Sequence, residues 1–186
     1  MATLSTRLFT RQEYHRILAA GILGPDENIE LLEGQILSMP PQGPLHAAVV
    51  RRLLQALLAL GYPLGQLISE QPIALEDNSE PVPDVFLVEP DPAGLDYEDG
   101  HPTAERVLLV AEVSASTLNL DLSTKARAYA RAGIPVYWVI DVEAARLFEH
   151  TQPTAGVYQS VVLHDRAATV SLPNGAGLEV GQLFRR

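Results

Sequence analysis

The sequence predicts an α/β (α+β) fold: a central mixed β-sheet flanked by helices, with additional antiparallel strands along one edge. Three stretches carry that expectation. Val107 to Val113 (VLLVAEV) is apolar throughout except for one carboxylate, the pattern of a strand covered on both faces. A helix is expected over Leu120 to Ala132, closed by Gly133, and Val136 to Ile140 (VYWVI) follows it as the next central strand, so that the passage reads as a right-handed parallel crossover. The tail from Arg146 to Phe184 then alternates Val and Leu with turn residues, as short antiparallel edge strands do.

The remaining elements follow from caps and breakers. Thr10 and Glu13 have capping-box spacing at the head of a helix that runs to Ala20 and ends at Gly21. Ile29 to Met39 reads as two short strands about a turn at Glu33 and Gly34, and the breaker PPQGP follows. Leu45 to Leu60 places Leu53, Leu54, Leu57, Leu58 and Leu60 behind Arg51 and Arg52, a second, well-buried helix stopped by Gly61. Leu67 to Leu75 and Val82 to Val88 read as strands, and the acidic stretch from Glu89 to Pro102 as a surface loop. A chain of 186 residues with 47% apolar content is expected to form one domain spanning residues 1–186.

Composition limits the chemistry. With no cysteine there is no disulfide, thiolate nucleophile or thiolate metal site, so a metal would be held by oxygen or imidazole ligands. No charged-then-apolar leader pattern and no bilayer-length apolar run is present, which predicts a cytoplasmic protein that does not enter membranes. The formal charge of -10 opposes indiscriminate phosphate binding, but ten acids and no base fall between residues 76 and 105, leaving thirteen acids against thirteen bases elsewhere. Lys125 is the only lysine beside twelve arginines. A compact, mobile ammonium is not interchangeable with a guanidinium fork, so a site needing one would resist a bias toward Arg.

Glu112 is the most informative position. An ionised carboxylate within an apolar strand costs several kcal/mol unless paired or bound to metal, roughly in line with other buried charges. It serves either as a strand-end acid in a hydrogen-bonded turn or as a ligand. The same alternatives apply to Asp84, in VPDVFLV directly after Pro83, where a proline suits a strand start or bulge. His46 follows Pro44 and Leu45 at the head of the second helix, a position equally open to an ordinary solvated histidine. His15, His101, His150 and His164 show no ligand spacing. Glycine-rich phosphate loops are absent, and Ser114 and Ser116 lack nucleophile-elbow glycines, which excludes the common nucleotide-binding and serine-hydrolase patterns.

Read in order, Pro83-Asp84, Glu112-Val113-Ser114-Ala115-Ser116-Thr117, Asp121-Leu122-Ser123-Thr124-Lys125, Tyr129 with Gly133, and Tyr137-Trp138-Val139-Ile140-Asp141 resemble the Uma family of bacterial restriction-endonuclease-like proteins, within the PD-(D/E)xK nuclease superfamily. Glu30-Leu31-Leu32-Glu33-Gly34 and the Pro-rich stretch from Pro40 to His46 match its upstream segments, so the resemblance covers about residues 10 to 150. One position departs from the superfamily: Ser114 stands where a lysine is expected two residues after the glutamate, and the lysine has migrated to Lys125 on the following helix.

The resemblance implies a restriction-endonuclease-like fold and a metal-dependent endonuclease. In it Asp84 and Glu112 hold Mg2+ (or Mn2+) and Lys125 stabilises the transition state at the scissile phosphate. Glu30 is a third acid nearby, His46 and Ser114 are supporting residues, and Glu33 is a turn residue. It also implies nucleic acid as partner, DNA ahead of RNA, and a homodimer. Two alternatives stand beside it: a catalytically silent nuclease fold acting as a binding or regulatory module, and a hydrolase of a smaller phosphodiester. The acidic loop is expected to face away from the site, with Arg51, Arg52, Arg127 or Arg131 closer to the substrate path.

Overall fold

The computed structural model describes residues 5–24 and 27–185. Helix α1 (Arg11–Ala19) begins at the expected capping box: Thr10 accepts from Glu13 N while the Glu13 carboxylate accepts from Thr10 N. Strands β1 (Ile29–Leu32) and β2 (Gln35–Ser38) pair antiparallel around a two-residue loop, with Glu33 at φ 51° and Gly34 at φ 77°. Two consecutive left-handed residues are what a tight hairpin with the right-handed strand twist requires. At Gly34 any Cβ would also meet Leu8 Cβ at 2.5 Å, so the position is closed to side chains on both counts.

Helix α2 (Pro44–Ala59) starts on a proline in its first turn, where the missing N–H would have had no partner. The main sheet then assembles in the order β3 (Leu67–Ile68), β4 (Val85–Val88), β5 (Val107–Ser114), β6 (Val136–Asp141), β7 (Arg146–Thr154) and β8 (Val157–His164). β5 and β6 are parallel and all other neighbours antiparallel, so the sheet is mixed, as the sequence implied. Strands β9 (Thr169–Ser171) and β10 (Gly177–Glu179) form a separate two-stranded sheet.

Two readings need correction. The stretch from Leu67 to Leu75 is a strand only at Leu67–Ile68. Beyond it Glu70 takes φ 53°, and a non-glycine residue in that region breaks extended pairing. The tail is not made only of short strands: β7 and β8 have nine and eight residues and extend the main sheet as one long hairpin.

Between β5 and β6 the chain forms one helical passage of unequal pitch. α3 (Leu118–Leu120) runs into a π-helical stretch, Asp121–Lys125, and then into α4 (Ala126–Arg131). The wider turn inserts one residue into the helix, a distortion that concentrates at functional sites.

Alternation along the strands sorts the core into two layers. Val85, Leu87, Leu109, Ala111, Val113, Trp138 and Ile140 pack with Val49, Leu53 and Leu57 of α2 on one face. Phe86, Val88, Val110, Tyr137 and Val139 pack with Ala126 and Tyr129 of α4 on the other. Leu53 and Leu57 are fully buried, and truncating either to Ala would cost about 2–5 kcal/mol. The same alternation sends Glu112 and Ser114 to the α4 face, opposite their neighbours Ala111 and Val113. The placement of the site therefore follows from the period of β5. Among the described residues, no helix is long and apolar enough to cross a membrane.

Candidate active site

Register brings the two strand acids together. Val85 lies opposite Ala111 in the β4–β5 pair, so Asp84, one residue before β4, falls beside Glu112. Asp84 Oδ2 accepts from the backbone N–H of Val113 at 2.7 Å. Its other oxygen, Oδ1, meets His46 Nε2 at 3.1 Å and Gln42 Nε2 at 3.3 Å. Pro83, which has no N–H to lose, precedes the point where regular pairing begins.

Glu112 is 4% exposed and Lys125 is 2% exposed. Lys125 Nζ donates to Glu112 Oε1 at 2.9 Å, and Tyr129 OH donates to the same oxygen at 2.8 Å. The ammonium also lies 3.2 Å from Glu30 Oε2, which accepts in addition from Val82 N at 3.2 Å. Glu30 is 1% exposed, and its Oε1 is buried without a hydrogen-bond partner among the described residues. Lys125 and Tyr129 reach one oxygen because they stand four residues apart on one helical face. Lys125 is thus a buried cation between acids from β1 and β5, not a solvated helix residue.

Asp121 opens the π-helical stretch and anchors its first residue. Its Oδ2 accepts from the Ser114 hydroxyl and, at 2.7 Å, from the Thr117 hydroxyl. Its backbone carbonyl accepts from Tyr137 OH at 2.9 Å. Ser114 therefore ties the end of β5 to the helix that carries Lys125.

Burial and charge shift the site's titrations. Burial pushes the Glu112 carboxyl well above the usual carboxylate range; Lys125 opposes that shift, while Asp121, Asp84 and Glu30 add to it. Burial likewise opposes the charge on Lys125, but the carboxylates of Glu112, Glu30 and Asp121 outweigh it and raise its pKa, so the lysine stays protonated. Burial also raises Asp121, against Lys125 and the two hydroxyls. For His46 burial disfavours the cation, yet the hydrogen bond and charge of Asp84 prevail and raise it above 6.5.

These side chains line one cleft of about 460 Å³. Asp84, Glu112, Lys125, Glu30 and His46 all contribute to its wall, while Ser114 lies behind it and acts on Asp121. Glu70, Gln42 and Asp121 also line it and were not among the site residues expected from sequence. Asp121 was open to detection from its spacing four residues before Lys125; the φ of Glu70 has no sequence signal. No residue between Glu89 and Pro102 lines the cleft.

The expected arginines are not there. Arg127 and Arg131 pair with Glu33, and Arg131 also with Glu76. Arg52 donates to Leu183 O at 3.0 Å, and neither it nor Arg51 lines the cleft. Among the described residues, no group of three or more His, Asp and Glu side chains could by itself hold a metal ion.

Comparison with known proteins agrees with the fold and the motifs. No curated protein matches this chain. Among solved structures, a putative nuclease belonging to DUF820 from Anabaena variabilis is similar in fold, with a TM-score of 0.66 and 19% identity over 95% of this chain and 97% of that one. The sequence pattern of the Uma2 family, described as "Putative restriction endonuclease", matches residues 11–182, and the chain belongs to that family.

Proposed function

We propose that this protein is a divalent-metal-dependent endonuclease that hydrolyses phosphodiester bonds of DNA in the cleft around Asp84, Glu112 and Lys125. The observation that carries the reading is the adjacency of Asp84, just before β4, and Glu112, in the paired strand β5, with a buried ammonium 2.9 Å from Glu112. Family membership supports the reaction class.

The donor set fits Mg2+ or Mn2+. Asp84, Glu112 and Glu30 present only carboxylate oxygens, one of them, Glu30 Oε1, buried without a partner among the described residues. Mg2+ is ordinarily held by one or two carboxylates, with water and substrate phosphate completing the shell. Asp84 and Glu112 would hold the ion, which when bound supplies Lewis acidity at the phosphate and a more acidic water.

The chain's own residues do the rest. Lys125 presents fixed positive charge to the phosphate as negative charge develops, and stays protonated because three carboxylates face it. Glu30 and Tyr129 hold that ammonium and Glu112 in place. His46 and Gln42 orient Asp84, and Ser114 anchors the helix through Asp121. We further propose that the chain is one domain, as its length and apolar content imply, that it works in the cytoplasm, and that it forms a homodimer, as the family resemblance implies.

Incubating the purified protein with supercoiled DNA and with single-stranded RNA, in Mg2+, Mn2+ or EDTA, tests the reading. Metal-dependent nicking that is lost in Asp84→Asn and Glu112→Gln is expected. Cleavage that survives Glu112→Gln would sink it. The catalytically silent alternative draws on one observation: the cleft wall carries Glu30, Glu70, Asp84, Glu112 and Asp121 but no arginine. In that case calorimetry would register no Mg2+ binding.

A further inference from the structure

We infer that a second site, a basic groove between α2 and the C-terminal segment, receives the phosphate backbone of duplex DNA and delivers it to the cleft; this rests on the nuclease reading given above. The arginines divide into two groups. Arg7, Arg11, Arg106, Arg127, Arg131 and Arg146 each pair with a carboxylate. Among the described residues Arg16, Arg51, Arg52, Arg166 and Arg185 do not. Of these, Arg52 and Arg185 face a common groove, and Arg51 precedes Arg52 on α2. Arg52, Gln55, Gln182 and Arg185 line a groove of about 400 Å³ that contains no acid, with Gly181 in its wall.

The groove is built from chain segments far apart in sequence. Arg52 donates from Nη1 to Leu183 O at 3.0 Å, and Arg166 donates from Nη2 to Phe184 O at 2.7 Å, so two guanidinium groups clamp consecutive carbonyls of the same segment. Gly181 permits the close approach: a Cβ there would meet Arg166 O at 2.7 Å. Arg51, Gln55, Gln182 and Arg185 are exposed. Arg51 and Gln55 stand one turn apart, so guanidinium and amide donors share a strip of helix surface.

Charge distribution identifies the ligand as a polyanion. In a protein of net charge -10, a patch of unneutralised arginine and amide donors is the exception, and its chemistry is that of phosphate contact. Position identifies the source. Helix α2 runs from the cleft, which Gly43 and His46 line, to the groove, which Arg52 and Ala59 line. At about 1.5 Å and about 100° per residue, Arg52 lies roughly 9 Å along the axis from His46 and on a neighbouring face of the helix, so a ligand reaching both sites curves around α2. The cleft lacks arginine, so the affinity it cannot supply falls to this groove.

The test measures binding without cleavage. In EDTA, the anisotropy of a short fluorescein-labelled DNA duplex is followed from about 50 to about 200 mM salt for wild type, Arg51→Gln/Arg185→Gln, and a control, Arg7→Gln/Arg106→Gln. Loss of two phosphate contacts should make the log–log salt slope shallower by about 1.8 and weaken binding about fifty-fold at about 0.1 M salt, with the control unchanged. A groove variant with the wild-type slope overturns the inference and leaves the cleft reading intact. Failure of wild type to bind duplex, or capture of poly-glutamate through the same two arginines in preference to DNA, also overturns it. Cleavage in Mg2+, and its loss in Glu112→Gln, judges the cleft separately: no cleavage with a slope that still depends on Arg51 and Arg185 sustains the groove alone.

Discussion

Lys125 donates to Glu112 across 2.9 Å, joining the end of a central strand to a π-helical turn that begins seven residues after it in Ser114's wake, at Asp121. Ser114, at the end of β5, secures the helix that supplies the ammonium, because its hydroxyl donates to Asp121 at the start of the π-helical turn.

Replacing that lysine should impair both activity and stability. Lys125→Ala leaves Glu112 and Glu30 facing each other in the interior, and breaking a buried pair from one side costs about 3–5 kcal/mol. Loss of one electrostatic contact to the transition state lowers the rate by about 10² to 10³-fold. Lys125→Arg should keep the charge yet rescue poorly, because the planar fork cannot occupy the space of an ammonium. Thermal melts read the first effect and nicking rates per folded molecule the second; a folded Lys125→Ala at full rate refutes the role.

The acid limb of the cleavage profile should lie above the ordinary glutamate range. Glu112 must be ionised to hold a cation, and burial with three neighbouring carboxylates favours its protonated form. Rate and Mg2+ affinity should therefore rise together with pH through the elevated pKa. In Tyr129→Phe, which removes a donor to the ionised oxygen, the limb should move further up. A limb near the ordinary value of 4.5 in both proteins would contradict this.

Much of this arrangement was legible in the sequence, for identifiable reasons. A lone carboxylate in an apolar strand and a lone lysine in an arginine-rich chain are local anomalies, and both sit in the cleft. The Thr10–Glu13 cap and the Glu33–Gly34 turn are short-range chemistry and appear where expected. What sequence could not give depends on distant contact. The π-helical stretch begins at Asp121, which is held by Ser114 and Thr117, and its periodicity is invisible to a helix count. The pairing of Arg127 and Arg131 with Glu33 places them away from the cleft, a fact fixed only when the β1–β2 hairpin meets α4.

Glu80 should govern part of the acid stability. It is buried, and although burial alone would raise its pKa, hydrogen bonds and charge from His15 and Arg11 hold it below 4.5. A depressed carboxylate contributes stability that is complete above its unfolded pKa and is lost as pH falls through the folded value. Glu80→Gln should lower stability by about 1–3 kcal/mol at neutral pH and by progressively less in acid. Urea melts at neutral pH and below pH 4.5 check it; an equal difference at both would rule out the linkage.

Asp121 offers the sharpest separation of positioning from direct catalysis. Its carboxylate accepts from Ser114 and Thr117, so Asp121→Ala strands the buried Ser114 hydroxyl, at about 1–3 kcal/mol, and frees the half-exposed Thr117 hydroxyl to solvent. With that tether gone the inserted residue has no reason to persist, and relaxation to regular α-helix would swing Lys125 by about 100°, one residue of helical rotation. Asp121→Asn keeps an acceptor oxygen and the side-chain shape, so it should retain the turn. The expected order of kcat is wild type, then Asp121→Asn within about tenfold, then Asp121→Ala lower by about 10² to 10³-fold, matching loss of the lysine contact itself. KM should change little across the series, because the tether does not bear on the groove. The double variant Asp121→Ala/Lys125→Ala should be no slower than Lys125→Ala, since a residue acting only through the lysine has nothing left to position. Full additivity of the two losses would show that Asp121 acts on the phosphate or the water independently of Lys125.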